Sequence, residues 1–226
     1  ARHAAVPVRF LGEPARSLAG CPPHSVAHAH AVPGISAKWR ETVVNEDFRV
    51  IPSYPARFVV PAAVTDAALV RVCAFRTKGR IPALCWSDPA SEMSTIWRCA
   101  QPKVGLGAVS EDDEAFVEAI RANTPSGLVM FMDCRSHTAA LGNKMRAGGF
   151  EDVTRYGNAR ISFENMPNIH AVRASHASLA KLLRRSPPSA SDAWLASGEG
   201  WGADVEATSW LANVRVCLSA AIKLAR

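Results

Sequence analysis

No stretch of the chain approaches the roughly 18 consecutive apolar residues of a membrane-spanning helix, so no transmembrane segment is read in it. No charged-then-apolar leader opens the sequence, so no secretory signal is expected there. The first residue is Ala rather than Met, and the chain is expected to begin inside a longer polypeptide. No two cysteines form a C-x-x-C pair. Cys21, Cys73, Cys85, Cys99, Cys134 and Cys217 lie mostly in apolar segments. That suits reduced, buried thiols inside a cell better than a disulfide framework. Zinc-finger spacing and RNA-binding aromatic motifs are missing too, so nucleic acid is not an expected partner. Cys21, His24, His28 and His30 lie close together, but one Cys with scattered His carries little weight as a ligand set. No metal and no cofactor is expected.

What is present suits a folded domain. The 226 residues are 48% hydrophobic, enough for a real core. Lys and Arg outnumber Asp and Glu by 26 to 20, a net charge of +6. A basic surface favours anionic partners such as phosphorylated headgroups and membrane surfaces.

Residues Ala1 to Val32 carry four prolines and little periodicity, and read as loop. Arg57–Val60 is strand-like and Pro61 is expected to stop it. Thr65 is placed to cap a short helix through Val70. Arg80–Trp86 reads as a buried strand entered through a turn at Lys78-Gly79, and Ser94–Trp97 as a second. Ser110, with an acid three residues on, resembles a capping box, and four acids follow it where a helix macrodipole favours them. Leu128–Met132 is continuously apolar, the pattern of a strand covered on both faces in a parallel sheet. Asp133-Cys134-Arg135 follows at its end, where ligands of open α/β sheets tend to bind. Ala159–Phe163 reads as another strand, and Ser178–Arg185 as amphipathic. Ser186–Ser191 is a linker, Asp192–Leu195 starts a turn, and Trp210–Ile222 repeats at helical spacing.

Several blocks are more specific than their periodicity. Phe75–Trp86, FRTKGRIPALCW, and Arg98–Gly105, RCAQPKVG, resemble two signature blocks of the myotubularin family, phosphoinositide 3-phosphatases of the Cys-based class. Cys85 and Ala100 stand where that family usually has Ser. Asn45–Pro61 is similar to the family's opening segment, with Lys38-Trp39-Arg40 before it. Asp133-Cys134-Arg135 is similar to its Asp-Ala-Arg. Asn143–Glu151 resembles its Asn-Lys-x-x-Gly-Gly-Gly-Tyr-Glu loop, with Ala147 in place of the first Gly. Were that position to need a positive φ, Ala147 would cost about 1 kcal/mol. Met166–His170 is close to the family's His-Asn-Ile-His.

The resemblance implies an α/β fold with a central, mostly parallel sheet flanked by helices. Residues 1–32 would be a loop or the tail of a preceding lipid-binding domain, and 33–226 the N-terminal part of the phosphatase domain. The family's chemistry uses a Cys-x5-Arg loop, in which a thiolate attacks phosphorus and an Arg clamps the transition state. Six residues beyond the cysteines, in order, stand Ala27, Gly79, Ser91, Gly105, Ala140 and Lys223; none is Arg. The reactive loop is therefore expected beyond Arg226, and this chain alone is expected to be inactive. No residue of the chain is assigned a catalytic role.

By the same resemblance Asn143, Asn168 and Ile169 are candidate contacts to a phosphoinositide. Read without it, those amides would cap loops and pack. Arg98, Arg135 and Lys144 are weaker candidates for headgroup charge, better explained by ion pairs or solvent. The implied substrates are phosphatidylinositol 3-phosphate and the 3,5-bisphosphate. The implied place is cytoplasmic, peripheral to endosomal or similar membranes, with a homo- or heterodimer possible. The alternative is a catalytically inactive relative that serves as a dimer partner or scaffold.

Overall fold

The computed structural model describes residues 38–88, 94–184 and 198–225. The Ala1–Val32 segment, the Cys21–His30 group, the Ser186–Ser191 linker and the Asp192–Leu195 turn lie outside those residues.

The first strands, β1 (Trp39–Thr42) and β2 (Phe58–Pro61), pair antiparallel, with Trp39 opposite Pro61. Pro61 is the last strand residue, yet pairing runs one step further through Ala62 N–H to Lys38 C=O at 2.9 Å. Buried Asn45 organises the intervening loop. Its Nδ2 donates to the carbonyls of Ile51 (3.0 Å), Tyr54 (3.3 Å) and Pro55 (2.9 Å), and its Oδ1 accepts from Ile51 N–H at 2.8 Å. Every polar atom of the amide is used, which is how a fully buried Asn avoids a desolvation cost.

Thr65 caps α1 (Asp66–Phe75) as the sequence suggests, its hydroxyl accepting from Ala68 N–H at 3.3 Å. The helix runs past Val70 because Leu69, Val72 and Cys73 bury one face. A short turn at Thr77–Gly79 follows, with positive φ at Lys78 (56°) and Gly79 (68°). It feeds β3 (Ala83–Ser87), which pairs antiparallel with β4 (Thr95–Arg98). The register slips between Leu84 and Trp86, leaving Cys85 as the extra residue of a bulge.

Ser110 caps α2 (Glu111–Ala122), accepting from Asp113 N–H at 3.2 Å. The reciprocal half of the expected capping box is not made by Asp113, whose carboxylate turns inward to Arg76. Phe116, Val117 and Ile120 bury the face of α2. Phe116 and Ile120 join Ile51, Phe58, Val60, Leu69, Val72 and Ile81 in the main core.

β5 (Val129–Asp133) and β6 (Ala159–Phe163) pair in parallel, Val129 opposite Ala159 and Asp133 opposite Phe163. α3 (His137–Lys144) lies between them in sequence. α4 (Ile169–Leu183), α5 (Gly198–Ala207) and α6 (Trp210–Leu224) pack together, with His176 against Trp210 at 5.3 Å. Lys223 Nζ reaches Glu164 Oε2 at 2.8 Å and ties α6 to the end of β6.

The fold is mixed α/β. Among the described residues the strands form three two-stranded sheets: β5–β6 is the parallel pair and the other two are antiparallel. The expectation that Leu128–Met132 is covered on both faces needs correcting, since Met130 is 49% exposed. The apolar run signals a strand, but β5 has one partner strand and one face open among the described residues.

Candidate functional site at the carboxyl edge of the parallel pair

Parallel neighbours send their following loops off the same edge, the place where open α/β sheets hold ligands. Here three backbone bonds keep the two departing chains side by side. Glu164 N–H donates to Asp133 C=O (2.8 Å), Asn165 N–H to Arg135 C=O (3.4 Å) and Met166 N–H to Cys134 C=O (2.8 Å). One chain then leads into α3, capped by Ser136, and the other into α4, capped by Asn168.

Asn143 lies in the last turn of α3. Its carbonyl gathers N–H groups from Met145, Arg146 and Gly148, the last two at 3.0 and 2.9 Å. Its half-buried side-chain amide has no hydrogen-bond partner among the described residues. Asn168 is partly spent. Its Oδ1 accepts from Ala171 N–H at 2.9 Å, the capping role the sequence alone suggests. Ile169 begins α4 and is 75% exposed. Asn168 thus sits in the segment that leaves this edge and Asn143 in the last turn of the helix that starts from it, with no hydrogen bond joining them among the described residues.

Of the basic candidates, Arg135 is committed to the protein. Its Nε donates to Asp133 Oδ1 at 2.9 Å, and its Nη2 to Asp133 Oδ2 at 2.6 Å and to Gly149 C=O at 2.7 Å. Its Nη1 donates to Gln101 Oε1. Lys144 Nζ stands 6.0 Å from the centre of the Phe150 ring. Arg98 is exposed, and its carbonyl accepts from Tyr54 OH at 3.2 Å.

Behind the edge lies a feature that sequence reasoning missed. Arg76 is fully buried and binds Asp113 through both carboxylate oxygens, each at 2.7 Å. Its Nη1 reaches Glu151 Oε1 at 2.6 Å and Ala100 C=O at 3.0 Å. Tyr156 OH donates to Asp113 Oδ2 at 2.9 Å. The only forewarning was an acid at the third helical position, which the cap already explained.

The thiols are set against nucleophilic use. Burial pushes Cys73 up to about 11, and burial pushes Cys99 up to about 12 despite the nearby Arg76 guanidinium. Cys99 is exposed as a residue, but its sulfur lies 3.6 Å from buried Arg76 Nη1. Burial also raises Cys85 and Cys134, the latter with help from Asp133 and Glu164. A phosphatase thiolate needs the opposite shift.

These shifts set an alkaline limit. An unfolded thiol ionises near 9.0, whereas Cys73 and Cys99 stay neutral to about 11 and 12 in the fold. Between those values the unfolded chain has given up protons that the folded chain keeps, so stability falls as pH rises. Burial raises Tyr54 and Tyr156 as well, with the same sign. Urea midpoints under reducing conditions are expected to stay level up to about pH 9 and to drop above it. A midpoint that climbs through that window would contradict the burial of these groups.

Among the described residues no cluster of His, Cys, Asp or Glu is arranged to hold a metal ion. No helix among them is long and apolar enough to cross a membrane.

Residues 25–226 match the myotubularin-like phosphatase domain family. The chain belongs to the myotubularin family. It is 38% identical over 198 residues to the phosphatidylinositol-3,5-bisphosphate 3-phosphatase MTMR2 of Bos taurus, which covers 83% of this chain and 28% of that protein. It is 36% identical over 191 residues to myotubularin of Xenopus laevis, covering 83% of this chain and 30% of that protein. Against myotubularin of Rattus norvegicus it is 36% identical over 190 residues, with the same two shares. This myotubularin chain thus spans less than a third of the length of these relatives.

Proposed function

We propose that this myotubularin chain forms one wall of a phosphoinositide 3-phosphatase site. The substrates are phosphatidylinositol 3-phosphate and the 3,5-bisphosphate, reached from the cytosolic side of endosomal or similar membranes. One observation carries the reading most. Asn168 lies in the segment that leaves the carboxyl edge of the parallel pair, Asn143 lies in the last turn of the helix that begins there, and the Asn143 amide is unspent among the described residues. An amide offers two donors and an acceptor to inositol hydroxyls and phosphate oxygens. The name of the Bos taurus relative gives the substrate class. β5–β6 would be one part of a larger, mostly parallel sheet completed by residues other than these 226. The attacking thiolate and the clamping arginine would also come from outside them. That no Cys here has Arg six residues on, and that four thiols are pushed upward, both support this assignment.

The first cysteine observation equally suits an inactive relative that works as a dimer partner. Phosphate release from phosphatidylinositol 3-phosphate separates the two. The 226-residue chain is expected to release none. The full-length protein is expected to turn over, and Asn143→Ala in it to weaken apparent affinity by roughly tenfold, the worth of one good hydrogen-bonding contact. Turnover by the short chain would overturn the reading. A full-length protein that binds the lipid without hydrolysing it would favour the partner role.

A further inference from the structure

The loop from Asn143 to Glu151 is held at a single residue, Gly149, from two sides. Gly149 N–H donates to Gln101 Oε1 at 3.4 Å, and Gly149 C=O accepts from Arg135 Nη2 at 2.7 Å. Gln101 Oε1 also accepts from Arg135 Nη1, so the two side chains close a bracket around Gly149. Each arm is itself fixed. Arg135 is held by the Asp133 carboxylate at the end of β5. The Gln101 backbone is pinned by Thr77 N–H to its carbonyl at 3.1 Å. The Gln101 side chain lies flat against the loop, since a Cβ on Gly148 would stand 2.7 Å from Gln101 Nε2. Gly148 N–H in turn donates to Asn143 C=O at 2.9 Å, which links the neighbour of the bracketed Gly149 to the main chain of the candidate ligand residue.

We propose that Gln101 and Arg135 are positioning residues that hold the Asn143 amide at the headgroup edge. This rests on Asn143 touching the headgroup, and the path is short: bracket, Gly149, Gly148, Asn143. Neither bracket residue needs to contact the lipid. An amide displaced by about 1 Å from its partner forfeits most of that hydrogen bond, so a bracket of this kind bears directly on affinity. Gln101 sits in the RCAQPKVG segment and Arg135 at the end of β5. The bracket thus joins the antiparallel β3–β4 half of the domain to the parallel half.

The test uses the full-length protein and soluble dibutanoyl phosphatidylinositol 3-phosphate. It measures KM and kcat where turnover occurs and Kd where it does not. Gln101→Met keeps volume and removes both polar ends; it is expected to weaken affinity roughly tenfold with kcat changed less than about twofold. Gln101→Glu keeps the acceptor for Arg135 and Gly149 and is expected to restore affinity to within about twofold of the parent. In Asn143→Ala the bracket has nothing left to position, so adding Gln101→Met is expected to weaken binding no further. Hydrogen exchange at Gly149 N–H is expected to quicken in Gln101→Met and to recover in Gln101→Glu. If Asn143→Ala weakens binding but Gln101→Met does not, the bracket fails and the site stands. If Asn143→Ala leaves binding unchanged, the site reading fails and takes the proposal with it. Equal losses in Gln101→Met and Gln101→Glu would also overturn it, because a general packing role would not distinguish them.

Discussion

Arg76→Met is expected to lower stability by roughly 3–5 kcal/mol, the cost of removing one partner from a buried ion pair. The parent arrangement leaves little slack. Arg76 and Asp113 side chains are wholly shielded from solvent, and Glu151 is 9% exposed. The guanidinium spreads its donors over two carboxylates and the Ala100 carbonyl. Those partners come from the start of α2, the segment after β4 and the loop before β6, so one side chain joins three parts of the chain. Without it, two carboxylates face each other in a dry interior with Tyr156 OH as the remaining donor to Asp113.

Leaving charge buried without its partner is what makes breaking such a network expensive. A triple variant, Arg76→Met with Asp113→Leu and Glu151→Leu, removes all three charges together. It is expected to recover most of the loss, since a buried ion network often does no better than apolar side chains of similar volume. Urea denaturation of the three proteins at neutral pH decides this. An Arg76→Met variant as stable as the parent would mean that water reaches the cluster.

The sequence showed local structure well and long-range commitments poorly. Caps at Thr65 and Ser110 were legible because they depend on residues three positions apart. The parallel strand signal at Leu128–Met132 was legible from its apolar run, but the exposure of Met130 was not. Burial depends on which strands lie alongside, and no local pattern encodes that. The same gap hid Arg76. Its partners are 37 and 75 residues away in sequence, and an arginine beside a turn otherwise reads as solvated.

The candidate site divided in the same way. Asn143 and Asn168 were identified through family resemblance, and the structure gives them unequal freedom. Asn168 performs the capping role its position invites, and the Asn143 amide has no such partner among the described residues. Arg135, a weaker headgroup candidate better explained by an ion pair, is found in one with Asp133 and also braces Gly149. Gln101 was visible only as part of the RCAQPKVG block, with no role of its own, because that role arises only when the glycine loop folds back onto it.

Gly105→Ala is expected to cost roughly 3 kcal/mol and to push the Asn143 loop away from the RCAQPKVG segment, at the upper end of what overpacking does. A Cβ there would lie 2.5 Å from Ala147 Cα and 3.0 Å from both Ala147 N and Lys144 O. These are backbone atoms, so no side chain can rotate out of the way. The packing is mutual, since a Cβ on Gly149 would stand 2.3 Å from Val104 Cγ2. Ala147 makes the comparison sharp. It holds a φ of 61° where the family has Gly, so Ala147→Gly is expected to stabilise the fold by about 1 kcal/mol. The clash at Gly105 is with Ala147 Cα and N, which Ala147→Gly retains. The double variant should therefore stay destabilised relative to the parent, although the two positions touch and their effects need not sum. Full rescue in the double variant would mean that the two segments meet through side chains, with slack between their backbones. A double variant whose urea midpoint stays below the parent's, together with weaker lipid binding in Gly105→Ala alone and in the double variant, would place the contact on the backbone and make it the support on which the Asn143 loop rests.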